Sequence, residues 1–178
     1  SLAMTLKEDF APYLPEIIPQ LLNMSALKPK IGVTGETGDI LQFLSEVSTL
    51  SKDGLKTNEI EDKNVAIQML TVIIDEMKSH FAPYIQQTSE LFFSMINYDA
   101  SEDIRNSVAN SLPTMIDCLV SSYPNDRELH LKYGYVYMQA LFKAMESEKS
   151  IDTMVYQVLA TKDIIKSLGT FMDEATVN

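Results

Sequence analysis

The sequence predicts an all-α protein, an α-solenoid of antiparallel helix pairs with one long inter-helix insertion. Three observations predict it. Successive stretches of 15–20 residues carry apolar side chains at the three- and four-residue spacing of a helix face. A five-residue pattern returns later in the chain. All connections but one are short, which favours antiparallel neighbours.

The first helix is placed at about Phe10–Met24, with Phe10, Leu14, Ile17, Ile18, Leu21 and Leu22. The second covers about Glu61–Lys78, with Val65, Met69, Val72 and Ile73 on one face, widened by Ala66, Leu70, Ile74 and Met77. The third covers about Pro83–Asn97, around Ile85, Leu91, Phe92, Met95 and Ile96. The fourth covers about Glu102–Ser121, through Ile104, Val108, Leu112, Met115 and Leu119, flanked by Ala109, Ile116 and Val120. Ser101 is its expected N-cap, and Pro113 should remove one backbone hydrogen bond and kink it. The fifth covers about Glu128–Ser147, with Leu131, Tyr135, Met138, Phe142 and Met145. The sixth covers about Ile151–Leu168, with Ile151, Val155, Val158, Leu159 and Ile165. Faces this broad suit helices that pack on a hairpin partner and on neighbouring hairpins at once.

The repeat is explicit. Phe10-Ala11-Pro12-Tyr13-Leu14 returns 71 residues later as Phe81-Ala82-Pro83-Tyr84-Ile85. Proline in a first turn costs little, because that N–H has no partner within the helix, so each copy reads as a helix start. A second correspondence, Ala66-Ile67-Gln68-Met69 with Ala109-Asn110-Ser111-Leu112, has a step of 43 residues. That step falls in the roughly 40–47-residue period of HEAT and armadillo units. The longer step implies surplus residues, and the surplus lies at Lys28–Asn58, the 28-58 insertion. This stretch holds Gly32, Gly35, Gly38 and Gly54 and is rich in Thr and Ser. Within it, Ile40–Leu50 fits a short helix, and its alternation fits a hairpin strand equally well.

Composition narrows the function. Apolar residues make up 46% and charged residues 22% of the 178 residues, as in a globular chain. The formal net charge is -11, with 14 Lys and Arg in no basic run. Such a surface repels phosphate, so nucleic acid is not an expected partner. Acidic balance is also a general route to solubility and names no ligand by itself. The single cysteine, Cys118, rules out an internal disulfide framework and fits a reducing compartment. No apolar run approaches the roughly 20 residues that span a bilayer, so no membrane partner is expected.

In order along the chain, several stretches resemble the importin-β (karyopherin-β) superfamily, and within it the importin-5, or karyopherin β3, type. They are Tyr13-Leu14-Pro15 with Lys28-Pro29, then Gly54-Leu55-Lys56-Thr57, Ile60-Glu61-Asp62-Lys63 and Gln68-Met69-Leu70. Phe81-Ala82-Pro83-Tyr84 and Asp103-Ile104-Arg105 leading to Ser111-Leu112-Pro113 follow. The resemblance covers most of the chain and includes the interrupted unit. It implies a right-handed superhelix of HEAT repeats, of which residues 1-178 form a single segment of a longer protein. It also implies the partners of a nuclear import receptor: basic import cargo, Ran GTPase and FG nucleoporins, met in the cytoplasm and nucleus. The insertion departs from the family pattern, which is richer in acidic and aromatic residues. The rival interaction reading is a HEAT-repeat scaffold of another complex, such as a phosphatase regulatory subunit.

No catalytic, cofactor-binding or metal site is expected, and no cofactor. His80 and His130 sit near helix ends without Cys or carboxylate at ligand spacing and read as solvated. Cys118, among Met115, Ile116 and Leu119, reads as a buried structural thiol. The Gly32–Gly38 run lacks the lysine of a phosphate loop, and Glu36 and Asp39 would repel an anion, so it reads as a flexible loop. Of Tyr133, Tyr135 and Tyr137, one should be buried and the others should lie at hairpin contacts. Asp103 and Arg105 should join a hydrogen-bond or ion-pair ladder between repeats. Glu59, Glu61 and Asp62 suit the positive end of a helix, and a basic peptide could also meet them. The end faces should be unusually apolar, with Leu2, Leu6 and Leu14 at one end and Val158, Ile165 and Phe171 at the other.

Overall fold

The computed structural model describes residues 7–26, 59–169 and 171. The 28-58 insertion, and with it Leu2 and Leu6, lie outside the described residues. Among the described residues six α-helices follow one another: α1 Leu14–Ala26, α2 over 59–77, α3 Ile85–Met95, α4 Glu102–Ser122, α5 Arg127–Ser147 and α6 Ile151–Leu168. There is no strand among the described residues. The helices match the six placed from apolar spacing, with ends displaced by up to four residues.

The repeated pentapeptide is a repeated structure. Lys7–Tyr13 and Lys78–Tyr84 are both 3-10 segments of seven residues, running directly into α1 and α3. The sequence placed α-helix there from the first residue. The tighter coil arises because each proline lacks an N–H and disfavours α geometry in the residue before it. In both copies the phenylalanine is buried. In both it also meets the tyrosine three residues on, at ring separations of 6.2 and 5.9 Å.

The helices form two layers. α1 packs on α3, and α3 joins α5 through the Ser89–Tyr137 hydroxyl pair at 2.6 Å. On the other side α2 joins α4, where Thr71 meets Ser111 at 3.0 Å and the Cys118 thiol donates to the Ile74 carbonyl. α4 in turn packs on α6. Successive helices therefore pair across the layers as α1–α2, α3–α4 and α5–α6, three two-helix units.

A common register governs the second layer. Shifting α2 by 42 residues sets Lys63 on Arg105, Ala66 on Val108, Leu70 on Leu112, Ile74 on Ile116 and Met77 on Leu119, all of them buried. α4 runs on unbroken through Pro113. Its start is capped as expected, the Ser101 hydroxyl accepting from the Ile104 N–H at 3.3 Å. Asp126 and Ser150 cap α5 and α6 in the same way.

Three faces differ from the sequence reading. On α2, Val65 and Met69 are exposed, and the buried stripe is Ala66, Ile67, Leu70, Ile73, Ile74 and Met77. On α5, Tyr135 and Phe142 are exposed, and the buried stripe is His130, Gly134, Tyr137, Leu141 and Ala144. Close approach of α6 requires small residues there, and a Cβ on Gly134 would stand 2.1 Å from Leu168 Cδ1. On α6, Ile151, Val155, Val158, Leu159 and Ile165 all point outward, while Thr153, Gln157, Ala160, Thr161, Ile164 and Leu168 are buried. The apolar stripe of α6 thus lies on the side that no described helix covers. Leu14, expected at an open end, is buried instead, because α1 turns it inward.

Candidate interaction surface

The densest polar construction joins the second unit to the third. Arg105, in the second turn of α4, is buried. Its Nε and Nη2 donate to Glu148 at 2.8 and 2.9 Å, and its Nη1 donates to the Tyr98 carbonyl at 3.0 Å. Glu148 lies in the three-residue link between α5 and α6 and also accepts from the backbone N–H groups of Lys149 and Ser150. Burial works to raise the Glu148 carboxyl. The hydrogen bonds from Arg105, Ser150 and Lys149, with the guanidinium charge, outweigh it and hold the carboxyl below its ordinary value. A carboxylate held this way is committed to structure and has no lone pair poised for proton transfer.

Lys63 occupies the register position of Arg105 one unit earlier, and its Nζ donates to the Ser25 carbonyl of α1 at 2.7 Å. Burial lowers the Lys63 ammonium, and the neighbouring Glu59 partly opposes this. In both units a buried cation on the second helix therefore grips a carbonyl at or just beyond the end of the first.

The expected ladder role is found for Arg105. Asp103 is exposed at the start of α4. Tyr137 is the buried tyrosine, and Tyr133 packs edge-on against it at 5.8 Å. Tyr135 is exposed, where its hydroxyl accepts from Gln139 one turn on, so it makes no hairpin contact. Burial pushes the Cys118 thiol up to about 12, which fits a structural role.

The histidines divide. His80 is exposed, but His130 is buried, its ring tilted at 60° against Phe171 at 4.8 Å, with neither ring nitrogen hydrogen-bonded. Its helix-end position suggested solvation, but Phe171 lies against it. Arg127 Nε donates to the Phe171 carbonyl at 2.7 Å and fastens that residue.

Two open recesses flank these contacts. One, of about 640 Å³, lies over the Arg105–Glu148 pair and is edged by Asn97, Asp99, Glu102 and Lys149. The other, of about 280 Å³, runs between α3 and α5 past Glu90, Phe93, Lys132 and Tyr133. Exposed acids line the second layer: Glu61, Asp62 and Asp75 on α2, and Asp103 and Asp117 on α4. Among the described residues no three His, Cys, Asp or Glu side chains gather as a metal site would require. No described helix is long and apolar enough to cross a membrane.

Glu148 and Lys63 were not singled out from sequence. The signal for Glu148 was its place 43 residues beyond Arg105, one repeat period on. Nothing marked Lys63 apart from other surface lysines.

No family model matches the chain. Among curated proteins it is 25% identical over 114 residues to a probable importin-5 homolog of Dictyostelium discoideum, covering 64% of this chain. It is 22% identical over 129 residues to importin subunit beta-3 of Saccharomyces cerevisiae, covering 69% of this chain. The chain spans only 10% and 12% of the length of those relatives. Its fold superposes on Kap121p bound to Pho4p with a TM-score of 0.75 over 99% of this chain and 17% of that one, at 18% identity. The karyopherin Kap121p bound to the extreme C-terminus of Cdc14p matches at 0.73, with 17% identity and 18% of that chain covered. Fold and sequence agree: the chain is an all-α stack of two-helix units, similar in sequence to importin-5-type proteins and in fold to the karyopherin Kap121p.

Proposed function

We propose that this chain is one segment of a nuclear import receptor, a protein-binding scaffold rather than an enzyme. The superposition of 99% of the chain on a cargo-bound karyopherin carries this reading. In it, the whole receptor takes basic import cargo, passes FG nucleoporins between cytoplasm and nucleus, and releases cargo to GTP-bound Ran. The physics is consistent. Stacked two-helix units store flexibility in many small interfaces, so ligands that prefer different curvatures oppose each other through one coupled equilibrium. A net charge of -11 and the acids along α2 and α4 favour capture of basic segments, with strong salt dependence.

The test is a pull-down from cell extract with the full-length polypeptide that carries this segment. The expected recovery is import cargo and nucleoporins, with cargo lost on adding GTP-loaded Ran. Recovery of a phosphatase catalytic subunit, or cargo indifferent to Ran, sinks the reading. Three units are too few to enclose a cargo, so the isolated segment is expected to bind weakly or not at all.

A further inference from the structure

His130 is a titratable ring sealed from water near the start of α5. It is 0% exposed, and neither ring nitrogen has a hydrogen-bond partner. Three contacts close the site. The Phe171 ring lies 4.8 Å away, tilted at 60°. The Phe171 N–H donates to the Leu168 carbonyl at 2.7 Å. The Phe171 carbonyl accepts from Arg127 Nε, also at 2.7 Å. Arg127 and His130 are three residues apart, so they are neighbours on one side of α5. Leu168, itself 1% exposed, packs beside Gly134, one turn beyond His130. The start of α5, the end of α6 and Phe171 thus form a clasp around the imidazole.

A neutral imidazole carries one N–H and one lone pair. Inside the clasp both go unanswered. A second proton would add another unanswered N–H and a buried charge, at a far larger cost. No neighbouring carboxylate is bonded to the ring. At the start of α5, Asp126 accepts from the Leu129 N–H, Arg127 carries the same charge as an imidazolium, and Glu128 is exposed. On α6 Lys166 is exposed, and on α4 Asp117 accepts from the Ser167 hydroxyl. On the 3-10 segment before α3, Lys78 and His80 are exposed. Opening the clasp lets water solvate the imidazolium, so the open form binds the proton more tightly. By linkage the closed form is favoured at neutral pH and loses ground as pH falls.

We propose that Phe171 and His130 form an acid-released clasp: Phe171 closes over the neutral ring and swings away when the ring is protonated. An exposed imidazole takes its proton near pH 6.5, roughly, so release begins as pH falls through that region. One pH unit lower, the balance between closed and open forms should have moved by about tenfold. The clasp regulates how firmly Phe171, and the end of α6 with it, is held to α5. It needs neither cargo nor Ran, so the pull-down and the following test fail independently.

The chain has no tryptophan, so Phe171→Trp supplies a single fluorescent reporter. Between about pH 7.5 and about pH 5.5 its emission should shift reversibly to the red, with the far-UV circular dichroism unchanged. Adding His130→Gln, whose amide does not titrate, should hold the emission constant over that range. Constant emission with His130 in place overturns the proposal. The same transition in the His130→Gln background also overturns it and assigns the change to other groups. Hydrogen exchange in the unaltered chain gives a second reading that needs no substitution. Protection of the Phe171 N–H, corrected for the intrinsic pH dependence of exchange, should fall about tenfold over the same range. Unchanged protection overturns the clasp, whatever the tryptophan variant does.

Discussion

Arg105 and Glu148 meet with side chains 10% and 4% exposed, so each charge depends on the other for what water would supply. Removing one partner of such a pair leaves a buried charge unanswered. Glu148→Ala is therefore expected to cost about 3 kcal/mol in urea or thermal unfolding, more than any exposed carboxylate on α2. The pair also fixes a pH dependence. The Glu148 carboxyl sits lower in the folded chain than its ordinary value of 4.5. Its contribution is thus present above that value and is lost as pH falls through the lower, folded one. Glu148→Gln should flatten the fall in stability below about pH 4.5. An unchanged acid limb would mean that other carboxylates govern it. At this scale the sequence was legible only in part. Arg105 lies in a motif whose role is positional, but its partner sits in a link of three residues with no pattern of its own. His130 shows the opposite failure, since a helix-end location says nothing about a ring, Phe171, that meets it from 41 residues further along the chain.

Among the helices, existence and limits were readable because apolar spacing is a local property, while the orientation of the buried face was not. On α5 the largest apolar residues flank the contact, and the contact itself is made by Gly134 and Ala144 beside Tyr137 and Leu141. Spacing rules weight large side chains, whereas close helix approach selects small ones. Gly134→Ala tests this. In an open helix the change is favourable by roughly 0.5–1 kcal/mol. Here the added methyl would lie 2.1 Å from Leu168 Cδ1, on a side chain only 1% exposed. The expected result is a net loss of about 1–3 kcal/mol, with Leu168→Ala costing less in the Gly134→Ala background than alone. Full stability in the single variant would show that α5 and α6 can slide apart freely. The turn between α2 and α3 holds a second test. Lys78 has a φ of 45°, the left-handed region that costs a side-chain-bearing residue about 1–2 kcal/mol. Lys78→Gly should raise stability by roughly 0.5–1 kcal/mol, read as a higher denaturant midpoint. A fall would mean that the lysine side chain itself holds the turn.

For the molecule as a whole, the hydrogen bonds that tie helix to helix have short reach along the chain, while the packing of α1 on α3 reaches further, across the insertion. Ser25 to Lys63 is 38 residues, Thr71 to Ser111 is 40, Arg105 to Glu148 is 43, and Ser89 to Tyr137 is 48. Most units can therefore reach their final packing once roughly one more repeat has left the ribosome, with no need to wait for the rest of the chain. At synthesis rates of about 5–20 residues per second, that delay is only seconds. A nascent chain stalled with residues up to about 130 outside the exit tunnel should already protect α1 and α2 from protease, because α3 and α4 are then available to close them. Protection that arrives only after α6 emerges would mean that the units assemble all at once. A chain that settles piece by piece in this way exposes little unfinished surface at any moment, so great length carries only a small hazard of aggregation during synthesis.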